Sequence, residues 1–169
     1  MALLYLLRHA KAQLALPGVR DFDRPLSGLG AAQAEETGRM MAASSWRPDR
    51  ILCSPATRTR QTLDGVRLAL RLPDDAIAFD QNLYGGDAGL YIEAIRAHAG
   101  TEALLIVGHN PMIEDVACDL ATAGDPRAMD RLRSGVPVSS LAVIAFDDGL
   151  GRAGHGLGTL VDFRTPQLP

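Results

Sequence analysis

Apolar residues recur along this chain at two different spacings, and the two alternate. Leu3-Leu4-Tyr5-Leu6-Leu7 is apolar at every position, as a strand covered on both faces of a parallel sheet requires. Arg50-Ile51-Leu52-Cys53-Ser54, a segment near Ala76–Phe79, and Leu104-Leu105-Ile106-Val107 read the same way. Between them the spacing turns helical. Ala31 to about Ser44 is rich in Ala, Glu and Met and free of proline, with Ser27 or Gly30 marking its start. Leu63, Val66 and Leu70 form the apolar face of a second helix. Ser54 is its expected N-cap and Pro55 its expected first-turn residue. Leu90, Ile92 and Ile95 mark a helix over Ala88–His98, and Met112, Ile113, Val116 and Leu120 mark another that runs to about Thr122.

The C-terminal part returns to strands. Ser139–Phe146 is apolar and β-branched, Asp147-Asp148-Gly149 reads as a turn, and a glycine-rich link leads to Thr159–Phe163. That last strand is expected to pair antiparallel with its predecessor. Strands alternating with helices imply right-handed βαβ units. The predicted fold is therefore α/β, a three-layer α/β/α sandwich over residues 1–169 as one domain. Its sheet is mainly parallel, with an antiparallel edge strand.

Composition narrows the function. With 169 residues, 47% of them hydrophobic, the chain can bury a full core. A net charge of −3 gives no general attraction to nucleic acid or anionic lipid, so neither is an expected partner and any anion site must be local. No apolar run reaches the ~20 residues of a membrane span. The start of the chain lacks the basic region and cleavage site of a signal peptide, which makes the cytoplasm the expected compartment. Cys53 and Cys118 belong to no CxxC motif, so neither a disulfide framework nor a zinc site is expected. Neither has the arginine spacing of a cysteine-based phosphatase loop.

Chemistry gathers where the strands stop. The first apolar run ends in Arg8-His9-Ala10-Lys11 and another in Gly108-His109-Asn110-Pro111. Ligands of open α/β sheets sit at the carboxyl ends of strands, and two histidines there can converge on one phosphate-sized site. Either alone would read as a solvated strand end; the repetition points to a site. A third segment, Ser54-Pro55-Ala56-Thr57-Arg58-Thr59-Arg60, puts an arginine at a helix N-terminus, where backbone N–H groups attract anions. Spacing does not choose between Arg58 and Arg60. The long loop from Lys11 to Gly30 carries Asp21-Phe22-Asp23-Arg24-Pro25-Leu26-Ser27, and loops of that length inside a domain are usually functional. His98, near a helix end, and His155, among glycines, read as surface residues.

These segments, in this order from residue 3 to about Phe146, resemble the histidine phosphatase superfamily with its phosphoglycerate mutase-like fold. Within it they are most similar to the small phosphohistidine phosphatases of the SixA type. The resemblance implies that His9 is a nucleophile that becomes transiently phosphorylated. It also implies that Arg8 and Arg58 hold the phosphoryl oxygens and that His109 contacts the same group. Asn110-Pro111 reads as the start of a helix, with Asn110 also placed to donate to phosphate. Physical chemistry agrees, because nearby arginines keep an imidazole neutral and stabilise a transferring phosphoryl group. Fixed cations fill a metal's role, so no metal or cofactor is expected. Asp87, Asp21 and Asp23 are the candidate general acids. Asp87 also reads as a helix N-cap, and the other two as salt-bridge partners of Arg24.

No carboxylate stands out as the acid, which favours phosphohistidine: its imidazole can leave already protonated, whereas an alkyl phosphate leaves a basic alkoxide. The short chain also has little room for segments that would wall in a small substrate. The expected function is removal of phosphate from phosphohistidine in a partner protein. Alternatives are a phosphatase of a small ester, such as a sugar or nucleotide phosphate, or a phosphate-binding module without turnover.

Overall fold

The apolar runs become the middle of one seven-stranded sheet in the computed structural model, which describes residues 1–168. Its strands are β1 (Ala2–Arg8), β2 (Arg50–Cys53), β3 (Ile77–Phe79), β4 (Ala103–Gly108), β5 (Ala121–Gly124), β6 (Leu141–Phe146) and β7 (Gly158–Arg164). They lie in the order β3-β2-β4-β1-β6-β7-β5. Among the described residues six α-helices surround them: α1 (Gly28–Ala43), α2 (Thr57–Leu70), α3 (Asn82–Gly85), α4 (Ala88–Arg96), α5 (Met112–Leu120) and α6 (Pro126–Arg133). None of the described helices is long and apolar enough to cross a membrane.

Successive residues of the central strands face opposite sides of the sheet. Leu4, Leu6, Leu104 and Ile106 pack with Tyr91, Ile95, Ile113, Val116 and Leu132, under α4, α5 and α6. Tyr5, Leu7, Leu105 and Val107 pack with Met41, Leu63, Val66 and Leu70, under α1 and α2. Three layers result, as the two-sided apolar runs predict. The parallel majority is also as expected, since β1, β2, β3 and β4 pair in parallel.

Four local expectations change. The antiparallel strand is β6, which pairs with β1 and β7. It lies inside the sheet, because β7 and then β5 extend beyond it. Both β5 and α6 went unforeseen. β5 is four residues with no apolar alternation, while Asp125-Pro126 did carry a signal: Asp125 caps α6 by accepting from the Ala128 amide, with Pro126 in its first turn. Ser27 caps α1 as expected, but Ser54 does not cap α2. That helix starts at Thr57, after an Ala56 N-cap without a side-chain bond. Finally, Ser139 precedes β6 in a left-handed turn at φ 62°.

Register places the strand ends side by side. Arg8 pairs with Gly108 and Cys53 with Val107. The ladder continues past the strands, as the His9 amide donates to the Gly108 carbonyl (3.0 Å) and the Ser54 amide to that of Val107 (3.0 Å). His9, Ser54 and His109 thus leave the sheet as neighbours. Two glycines permit the close packing around them. A Cβ on Gly108 would stand 2.6 Å from the Tyr91 hydroxyl, and one on Gly30 would collide with the Lys11 carbonyl.

Candidate active site

Arg58 is the hub of the strand ends. Its side chain is 6% exposed, and its donors reach three residues. Nε donates to His9 Nε2 (3.3 Å), Nη2 lies 3.2 Å from His109 Nδ1, and Nη2 also donates to the Asp21 carboxylate (2.9 Å). Nη1 donates to the Asp21 carbonyl (2.7 Å). The spacing question is thereby answered. Arg60 points away, stacking 4.2 Å over the Phe79 ring and donating to the Pro55 carbonyl.

Hydrogen bonding assigns both imidazoles. A guanidinium can only donate, so the nitrogens facing Arg58 carry lone pairs. For His9 that nitrogen is Nε2, and its Nδ1–H donates to the Ala10 carbonyl at 2.7 Å. For His109 it is Nδ1, and Nε2–H donates to Ser54 Oγ at 2.7 Å. The two rings, 5.2 Å apart between centroids, therefore hold opposite tautomers and turn their lone pairs toward one cation. Burial lowers the His9 pKa to about 4; the bond to Ala10 works against this, and Arg58, Arg8 and Arg24 add to it. Burial, then Arg58 and His9, push His109 down to about 3. Both rings are neutral at pH 7.

The backbone beneath His9 is held from several directions. Its carbonyl accepts from the Ser139 amide (3.1 Å), and the Ala10 amide donates to Thr62 Oγ1 on α2 (3.0 Å). Ser139 Oγ in turn shares a hydrogen bond with Thr37 of α1 (2.9 Å). Arg8 adds to the field that lowers the His9 pKa; its Nη1 donates to the Val136 carbonyl (2.6 Å), and its buried Nε has no partner among the described residues.

Asn110 departs from its expected part. Its amide group donates to Glu114 Oε2 (2.9 Å) and to the Val136 carbonyl (3.2 Å). Both hydrogens are committed, so it ties the chain together and has none to offer a phosphate. The three carboxylates considered as acids are also engaged. Asp87 caps α4 by accepting from the Leu90 amide (3.0 Å). Asp23 pairs with exposed Arg20 (2.7 Å). Asp21 is the one that reaches the site, bound by Arg24 (2.8 Å) and Arg58. Slight burial raises its pKa, but Arg24 and Arg58 outweigh that and hold the carboxyl below its usual range. It is therefore ionised and has no proton to donate at neutral pH.

Several residues at the site carried no functional signal in the sequence. Ser54 looked like a cap, Glu114 stands one helical turn beyond Asn110, and Val136 acts through its backbone alone. Phe22 and Tyr84 form an edge-to-face pair (5.0 Å) at the rim, and the Tyr84 ring lies 5.6 Å from that of His109. Among the described residues no three His, Cys, Asp or Glu side chains gather closely enough to hold a metal ion.

Comparison with known proteins identifies the family. Residues 4–83 match the sequence profile of the histidine phosphatase superfamily (branch 1). An uncharacterised protein of Mycobacterium tuberculosis is 34% identical over 95% of this chain and 100% of its own. The phosphohistidine phosphatase SixA of Escherichia coli is 28% identical over 72% of this chain and 76% of its own. A proposed SixA phosphohistidine phosphatase from Agrobacterium tumefaciens, known from its crystal structure, superposes with a TM-score of 0.82 at 35% identity, covering 98% of this chain and 99% of the other. With paired strand-end histidines around a buried arginine, and relatives that span nearly its whole length, the chain belongs to the histidine phosphatase superfamily.

Proposed function

We propose that this protein is a phosphatase that works through a phosphorylated His9 and removes phosphate from phosphohistidine in a partner protein. The observation that carries the reading is the state of the His9 ring: Nδ1–H is held by the Ala10 carbonyl, and the Nε2 lone pair lies beside Arg58. Nε2 attacks phosphorus as the bond from phosphorus to the substrate nitrogen breaks. The departing imidazole keeps the proton on its other nitrogen and leaves neutral. Phospho-His9 retains its Nδ1 proton, so it too carries a good leaving group. Water then attacks phosphorus, the Nε2–P bond breaks, and dihydrogen phosphate leaves with both protons of the water.

Arg8 and Arg58 stabilise the phosphoryl oxygens throughout, and the route calls for neither metal nor cofactor. Phosphohistidine is favoured over an ester by the carboxylates. Asp87 and Asp23 are engaged elsewhere, and Asp21 is held ionised. An alkoxide would leave without a carboxylic acid to protonate it. The relation to Escherichia coli SixA points the same way. We place the protein in the cytoplasm, whose reducing conditions suit two free cysteines.

The test compares kcat/KM for a phosphohistidine protein with that for a panel of sugar and nucleotide phosphates, and looks for an acid-labile phosphoenzyme. Preference for phosphohistidine is expected, with label on wild type and none on His9→Ala. Preference for the esters would move the substrate assignment to them. Phosphate binding without any turnover would make the protein a binding module.

A further inference from the structure

Ser54 is fully buried, yet its hydroxyl serves no helix. The residue is clamped by its backbone. Its amide is bound to Val107, and its carbonyl accepts from Thr59 Oγ1 (2.7 Å). The side chain is thereby aimed at His109, with Oγ 2.7 Å from Nε2. On the far side of the ring, Nδ1 meets a group that can only donate. If Nε2 lost its hydrogen to Nδ1, an N–H would face the N–H of Arg58. Arg58 thus excludes that tautomer, and Ser54 is the acceptor that satisfies the Nε2–H of the other one in a buried place.

We propose that Ser54 is a positioning residue that fixes His109 in its Nε2–H form, so that Nδ1 is the nitrogen presented to the phosphoryl group. The proposal rests on the phosphatase reading for its consequence in turnover. When a phosphoryl group takes over the Nη2 donors of Arg58, Nδ1 loses its hydrogen bond and faces oxygen lone pairs. It then takes a proton from solvent and becomes a donor to a phosphoryl oxygen. Ser54 continues to accept from Nε2–H, which holds the imidazolium in place.

The charged and titratable groups around His109 define when that proton arrives. Arg58 on α2, His9 after β1 and Arg24 in the loop oppose it, while Asp21 favours it. The Tyr84 ring packs edge-on. The incoming phosphate supplies the negative charge that changes the balance.

The experiment records ¹⁵N ring resonances of histidine in wild type, Ser54→Ala and Ser54→Thr, with and without inorganic phosphate, alongside kcat and KM. Wild type is expected to show His109 with Nε2 protonated and Nδ1 bare, and Nδ1 protonated once phosphate is bound. Ser54→Ala is expected to shift the His109 Nε2 resonance, because its N–H loses its acceptor, and to lower kcat about tenfold with less change in KM; Ser54→Thr, which keeps the hydroxyl, restores both. A resting wild type with Nδ1–H overturns the proposal, and so does a Ser54→Ala protein with unchanged spectrum and kcat. Should Ser54→Ala fail to fold, the wild-type spectrum alone decides. An inert wild type whose Nε2–H signal depends on Ser54 upholds the tautomer assignment and sinks the phosphatase reading instead.

Discussion

The floor and the rim of the site are built on opposite terms. On the floor, Arg58, His109 and Ser54 are buried, and each is oriented by another of the three. Rearranging any one strands a polar group in a poorly solvated place, which is costly. On the rim, Asp21 is half exposed and sits in a loop with Leu14, Leu16 and Val19 turned to solvent. Its carboxylate is bound to Arg58 where an incoming oxyanion would compete. Burial and mutual hydrogen bonds fix the proton states on the floor. Exchange of partners belongs to the rim.

The sharpest way to break this contrast is Arg58→Ala. Loss of the hub should lower kcat/KM by about 10²–10³-fold and abolish inorganic phosphate binding, measured by steady-state kinetics and calorimetry. Arg58→Lys should fall nearly as far, because an ammonium cannot span two imidazoles as a planar fork does. Wild-type turnover in Arg58→Lys would show that charge alone suffices and that the floor is not rigid.

A second test reads the floor through stability. Both histidines have native pKa values below the unfolded value near 6.5. As pH falls below about 6.5, the unfolded chain takes up protons that the native state refuses, so stability drops toward pH 4. Each ring contributes a slope of up to about 1.4 kcal/mol per pH unit in that window. Urea unfolding from pH 7 to 4.5 measures it. A flat profile would mean that the rings are solvated.

The smallest effect belongs to the rim. Asp21→Asn removes a carboxylate that competes for Arg58, and exposed ion pairs are worth little. Inorganic phosphate should inhibit more tightly by roughly two- to fivefold. Weaker inhibition would show that Asp21 holds Arg58 for the anion, and would move it from rim to floor.

Most of this was legible along the chain, for identifiable reasons. A strand covered on both faces must be apolar at consecutive positions, so β1 and β4 could be read from short runs. The strand-end rule then marked His9 and His109. β5 escaped because a short strand at the outer edge of the sheet needs no such run. Asp87 was ambiguous in sequence since acid and N-cap use the same side chain, and its bond to the Leu90 amide makes it the cap.

The order of residues by itself determined the layered α/β architecture and brought forward Arg8, His9 and His109, with Arg58 and Arg60 as alternatives, because burial and strand ends impose patterns visible in one dimension. Tertiary structure alone decided which nitrogen of each imidazole holds the proton, which of Arg58 and Arg60 turns inward, and that the Asn110 side-chain amide has both its hydrogens committed. Those outcomes depend on hydrogen-bond partners from distant segments, such as Ser54 for His109 and Val136 for Asn110. A hydrogen bond is set by direction and distance in space, and neither is written in the spacing of residues along a chain.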